Sequence, residues 1–80
     1  MSVVVTGAAG FLGNRLAQNL AKRGAQVVLC DQMEPPVVPA GGRALVGPLE
    51  ETLDDAITRD TRAVVHLAAV VSSGAERDFD

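Results

Sequence analysis

Three glycines punctuate the stretch Thr6-Gly7-Ala8-Ala9-Gly10-Phe11-Leu12-Gly13 at a spacing of three residues. Glycine at such a spacing suits chemistry that needs bare backbone. The first position permits a tight turn out of a strand. The second removes a Cβ where backbone must approach a pyrophosphate, and the third lets a helix pack closely on a strand. The unpaired N–H groups of Phe11 and Leu12, at the positive end of a helix, would then receive the negative charge. Asp31 stands eighteen positions after Gly13. A carboxylate there can accept hydrogen bonds from both hydroxyls of an adenosine ribose, and it repels a 2′-phosphate, which favours NAD over NADP. An aspartate after a strand is by itself a common turn former. The glycine triplet is what gives Asp31 a ligand.

A glycine triplet has this meaning only between a buried strand and a helix, and the flanking residues supply both. Residues 2–6 (SVVVT) are a β-branched run without alternation, as in a strand covered on both faces. From Phe11 the period changes. Leu12, Leu16 and Leu20 recur every four residues, with Arg15, Asn19 and Arg23 on the other faces, which predicts an amphipathic helix. Lys22 and Arg23 suit its last turn, and Gly24 its left-handed exit. Residues 25–30 (AQVVLC) form a second buried strand closed by Asp31. Residues 32–42 (QMEPPVVPAGG) hold three of the four prolines and are read as an irregular crossover. Residues 43–46 form a third strand. Thr52-Leu53-Asp54-Asp55 resembles a capping box, and Leu49, Leu53, Ala56 and Ile57 have helical spacing. Residues 63–67 (AVVHL) give a fourth buried strand, apolar throughout, which needs cover on both faces and its outer edge.

Strand, helix, strand, strand, helix, strand predicts an α/β fold. It is a Rossmann-type parallel sheet with helices on both faces and strand order 3-2-1-4. Ligands belong outside the carboxyl ends of the first and fourth strands, at residues 7–13 and from Ala68 onward.

The chain has 80 residues, 48% of them hydrophobic and 21% charged, with a formal net charge of −3. This composition excludes a disordered chain. Its scattered basic residues argue against nucleic acid as a partner, and no apolar run is long enough to span a membrane. One cysteine excludes a disulfide framework and a multi-thiolate metal site, and it suits the cytoplasm. There is no tyrosine, and Lys22 is the only lysine. No metal-ligand set and no catalytic constellation can be assembled. His66, the single histidine, reads as a structural residue near a strand end. Cys30 reads as a small buried hydrophobe. Glu50-Glu51 and Asp54-Asp55 read as acids at a helix start, and Ser72 and Ser73 as loop serines with no base near in sequence.

TGAAGFLG, Asp31 and His66-Leu67-Ala68-Ala69 together resemble the extended short-chain dehydrogenase/reductase family, which includes nucleotide-sugar epimerases and dehydratases and sugar-acid dehydrogenases. The likeness covers the whole chain as the first part of a longer dinucleotide-binding domain. It implies NAD as cofactor, held at the pyrophosphate by the backbone of Gly7, Gly10, Phe11 and Leu12. Asp31 and Gln32 would hold the adenosine ribose. Leu67, Ala68 and Ala69 would line the nicotinamide-side ribose, with Ser72 and Ser73 toward a small-molecule substrate. Pro48 precedes Leu49 where the family commonly has an aspartate. That keeps an apolar adenine contact at Leu49 and removes the side chain of the polar one. The resemblance also implies a homodimer and a catalytic tyrosine with a nearby lysine, both beyond Asp80, so that the 80 residues alone would be inactive. The ending HLAAVVSSGAERDFD most resembles the sugar-acid dehydrogenases of the family, which implies an NAD-dependent dehydrogenase of a small sugar acid. A nucleotide-sugar epimerase or dehydratase, or a non-catalytic NAD-binding module, are the alternatives.

Overall fold

A computed structural model describes residues 2–67. Six elements follow one another: β1 (Ser2–Thr6), α1 (Phe11–Lys22), β2 (Gln26–Asp31), β3 (Arg43–Val46), α2 (Leu49–Ala56) and β4 (Thr61–His66). The four strands form one sheet in the order β3-β2-β1-β4, and every neighbouring pair is parallel. The expected order is the one found.

Period-two alternation divides the core between the two faces of the sheet. Val3, Val5, Val27 and Leu29 face one side and pack with Ala8 and Ala17, the latter on α1. Val4, Val28 and Cys30 face the other and pack with Ala56 of α2. The buried residues of β1 and β2 are therefore divided between the two helices, and β1 is buried along its whole length.

Helix α1 lies close to the sheet because its contact stripe is made of small residues. A Cβ on Gly13 would stand 2.2 Å from the Gly7 carbonyl oxygen, so only glycine permits this approach. The buried stripe is Gly13, Asn14 and Ala17. Of the expected leucine stripe, Leu20 packs against the core, whereas Leu12 is 66% exposed, because the close approach puts Gly13 and Ala17 at the contact line. The helix exit is as predicted. Gly24 has φ +96°, its N–H donates to Ala21 O (3.0 Å), and the Ala25 N–H donates to Leu20 O (3.1 Å). These are the paired bonds of a Schellman ending.

Helix α2 departs from expectation. It starts at Leu49 with Pro48 as its N-cap residue (φ −59°, ψ 145°), because proline arrives with its φ already fixed at a helix-compatible value. Thr52 is thus inside the helix and caps nothing. Its hydroxyl donates back to Leu49 O at 3.1 Å. Glu50 and Glu51 lie in the first turn, whereas Asp54 and Asp55 fall in the last, where the dipole disfavours acids.

Strand β4 also differs. It runs Thr61–His66 rather than over residues 63–67, with one extra residue, Arg62, at a register shift opposite Ser2/Val3. It is not buried: Val64 is 43% exposed. Among the described residues β4 pairs with β1 alone, so its outer edge has no partner there.

No helix among the described residues is long and apolar enough to cross a membrane.

Candidate dinucleotide-binding site

The parallel register brings the carboxyl ends of the strands to one level. Thr6 lies opposite Cys30 on one side and His66 on the other, and Asp31 opposite Val46. The chain leaves β1 through Gly7 (φ +70°), a conformation open to glycine. The Ala8 N–H then continues the sheet ladder to Cys30 O at 3.3 Å. The next amide is taken by a side chain: the Ala9 N–H donates to Asp31 Oδ2 at 2.9 Å. The Gly10 N–H turns back to Gly7 O at 3.1 Å, and α1 begins.

Gly10 is the N-cap of α1, with no side-chain cap and no acid in the first turn. The first N–H groups of a helix have no intrahelical acceptor, so Phe11 and Leu12 offer uncapped donors at the positive end of the dipole. A Cβ on Gly10 would come no nearer than 3.4 Å, to Gly7 O. The fold itself thus has room for a small side chain at Gly10. What glycine keeps free there is the space outside the loop. At Gly13 the fold itself demands glycine.

Asp31 joins three segments. Besides holding Ala9, it accepts the Met33 N–H on Oδ1 (3.1 Å), and its backbone carbonyl accepts the Gly47 N–H (2.9 Å). Gln32 follows it, exposed at the start of the crossover, and Leu49 is half-buried at the start of α2. Gly7, Gly10, Phe11, Leu12, Asp31, Gln32 and Leu49 therefore lie in or beside the loops at the carboxyl end of the sheet. Leu67 is there too, with its N–H donating to Thr6 Oγ1 at 3.0 Å. Ala68, Ala69, Ser72 and Ser73 lie outside the described residues.

His66 Nδ1 shares a 3.0 Å hydrogen bond with the hydroxyl of Thr6, which is fully buried. The pair ties β1 to β4 where the sheet meets the loops. Cys30 is fully buried beside α2, 3.8 Å from Thr52 O, and burial pushes its thiol upward from the ordinary value. No group of three His, Cys, Asp or Glu residues that could hold a metal ion occurs among the described residues.

Asn14 also belongs to this region, although its residue type does not mark it. Asn14 is 4% exposed. Its amide donates to Val37 O at 2.8 Å and accepts from Gln18 Nε2 at 2.8 Å, pinning the crossover to α1 one turn after the glycine loop. The available signal was a polar residue beside Gly13 and three before Ala17, on the buried stripe. Beyond Asn14, a groove of about 390 Å³ runs along α1 between Arg15, Gln18, Lys22 and Pro36. It meets the loop only at Gly10 and Phe11, and Asp31 does not line it.

Known proteins share sequence and fold with this chain. The model of the NAD dependent epimerase/dehydratase family matches residues 3–79. A D-erythronate dehydrogenase from Cupriavidus necator is 43% identical across all of this chain, and one from Haemophilus influenzae is 41% identical. Among solved structures, a short-chain dehydrogenase/reductase superfamily protein from Agrobacterium tumefaciens with bound NAD superposes with a TM-score of 0.70. It is 34% identical over 85% of this chain and 20% of its own. The chain spans 29% and 28% of the length of the two curated relatives. A match from Val3 to Phe79 and identity above two-fifths along the whole chain leave one conclusion: this chain belongs to the NAD dependent epimerase/dehydratase family.

Proposed function

We propose that residues 1–80 are the first part of a dinucleotide-binding domain that holds NAD, in a dehydrogenase acting on a small sugar acid such as D-erythronate. One observation carries the cofactor reading. The acid placed to take a ribose is hydrogen-bonded to the loop placed to take a pyrophosphate, through Asp31 Oδ2 and the Ala9 N–H. The loop and the acid therefore act as one site.

The roles divide by chemistry. Backbone from Gly7 to Leu12 receives the pyrophosphate, with Gly10 leaving the approach open. Asp31 takes the ribose hydroxyls, with Gln32 beside it, and Leu49 covers adenine. Leu67, with Ala68 and Ala69, belongs to the nicotinamide side, and Ser72 and Ser73 to the substrate. NAD supplies an acceptor for hydride from a substrate carbon. The substrate's hydroxyl proton needs a separate acceptor, and the sequence holds no tyrosine to provide one. That role falls to a tyrosine–lysine pair outside these 80 residues, so the chain by itself is inactive.

The sugar-acid reading is supported by the identity with two D-erythronate dehydrogenases. A nucleotide-sugar epimerase or dehydratase is the second reading, favoured by the description of the matching family. Calorimetric titration of the full chain tests the cofactor: NAD should bind at least tenfold tighter than NADP, and equal affinities would reject the role of Asp31. In the longer protein that carries these 80 residues together with the tyrosine–lysine pair, formation of reduced cofactor with D-erythronate, and none with a nucleotide sugar, decides between the two substrates.

A further inference from the structure

Asp31 is already committed before any ligand arrives. Oδ2 accepts from the Ala9 N–H at 2.9 Å and Oδ1 from the Met33 N–H at 3.1 Å. Its own carbonyl accepts from the Gly47 N–H at 2.9 Å. These three donors come from the three loops at the carboxyl ends of β1, β2 and β3. A carboxylate offers about four acceptor positions, so two remain once Ala9 and Met33 are served.

We propose that Asp31 is a positioning residue for the pyrophosphate loop as well as a ribose ligand. Its carboxylate holds the Ala9 N–H and thereby fixes residues 7–10 in their ligand-ready shape. The inference rests on the cofactor reading above and adds to it a second function of the same side chain. The supporting chemistry is specific. Ala9 is the one amide between the sheet ladder, which ends at Ala8, and the turn closed by Gly10. Without the carboxylate that amide loses its acceptor, and the loop loses the bond that fixes its position relative to β2.

Two consequences follow. Asparagine is not a conservative replacement, because an amide has one acceptor oxygen and one donor nitrogen. Whichever way it is turned, its NH₂ faces either the Ala9 or the Met33 N–H. In addition, removing the acid narrows the preference between cofactors by losing NAD rather than by gaining NADP, since the same change loosens the pyrophosphate loop that both cofactors use.

The experiment separates the two functions with a ligand that cannot use one of them. NAD, and an NAD analogue whose adenosine ribose lacks both the 2′ and 3′ hydroxyls, are titrated into the full chain as wild type, Asp31→Asn and Asp31→Ala. The expected result is a loss of threefold or more in analogue affinity for both variants, with a larger loss for NAD. Analogue affinity unchanged within threefold, with NAD still weakened, overturns the loop function and leaves the ribose reading standing. If the wild type binds NAD and analogue equally and the variants weaken both, the ribose reading fails and the loop function stands. Should the variants fail to fold, amide exchange in ligand-free wild type decides. Ala9 should exchange at least tenfold more slowly than the first-turn amides Phe11 and Leu12, and equal rates overturn the proposal.

Discussion

The two helices begin in opposite ways. Neither has a side-chain cap. Helix α2 meets its own need: Pro48 sets the entry, and Glu50 and Glu51 stand in the first turn, so the positive end of the dipole faces acids of the same helix. Helix α1 has no acid in its first turn and starts at a bare glycine, with Phe11 75% and Leu12 66% exposed. Large apolar side chains in water and uncapped donors are both unfavourable for an isolated chain. The start of α2 thus carries its own compensating charge and the start of α1 does not, which is the difference that the proposed pyrophosphate role of α1 requires.

The comparison can be broken most severely at Gly13. Gly13→Val drives a Cβ against the Gly7 carbonyl, which is backbone and cannot rotate away. It should cost about 3 kcal/mol of stability, read as a lower urea midpoint, and should abolish NAD binding with it. Gly10→Val separates those effects. The Cβ itself fits at 3.4 Å from Gly7 O, so circular dichroism and the urea midpoint should change far less than in Gly13→Val. NAD affinity should fall at least tenfold, about 1.4 kcal/mol. A loss under threefold would show that the loop does not hold the pyrophosphate. At α2 the pattern reverses. Glu50→Gln with Glu51→Gln should lower stability by about 0.5 kcal/mol per acid and leave NAD affinity unchanged.

The smallest expected effect lies beneath α2, at Cys30. Burial raises its thiol from the ordinary value, with the Thr52 hydrogen bond and Arg43 opposing the shift. The unfolded chain therefore releases this proton at lower pH than the folded one. The stability due to the neutral buried thiol is full below the unfolded value and is lost as pH rises toward the folded one. Urea titrations across the alkaline range should show a downward slope in the wild type that Cys30→Ala reduces.

Fold and site were legible to different depths. The parallel order was readable because SVVVT, AQVVLC and the glycine turn between them allow few alternatives. The exit of α1 was readable because Gly24 has one physical use there. The start of α2 was misread at Thr52, since a threonine with a carboxylate three residues on satisfies a local pattern that Pro48 pre-empts by fixing the backbone earlier. The exposure of β4 could not be read from AVVHL, because its apolar residues state a need for cover and not whether cover is present among the described residues. At the site, Asp31 could be marked from its distance to the glycines. Its bond to the Ala9 amide could not, since a backbone donor carries no signature in the sequence. Asn14 was hidden for a related reason: its partner is the carbonyl of Val37.

The start of α1, together with Asp31, is proposed to receive the cofactor's pyrophosphate and adjoining ribose. The most direct measurement is the assigned amide spectrum of the full chain, labelled with ¹⁵N and titrated with NAD. The largest shifts are expected at Ala9, Gly10, Phe11 and Leu12, with smaller ones beside the adenine contact at Leu49, and with the amides of Asp54, Asp55 and Ala56 at the far end of α2 moving least. Shifts centred instead on the start of α2, or along Gln18 to Lys22 in the groove beside α1, would contradict this role.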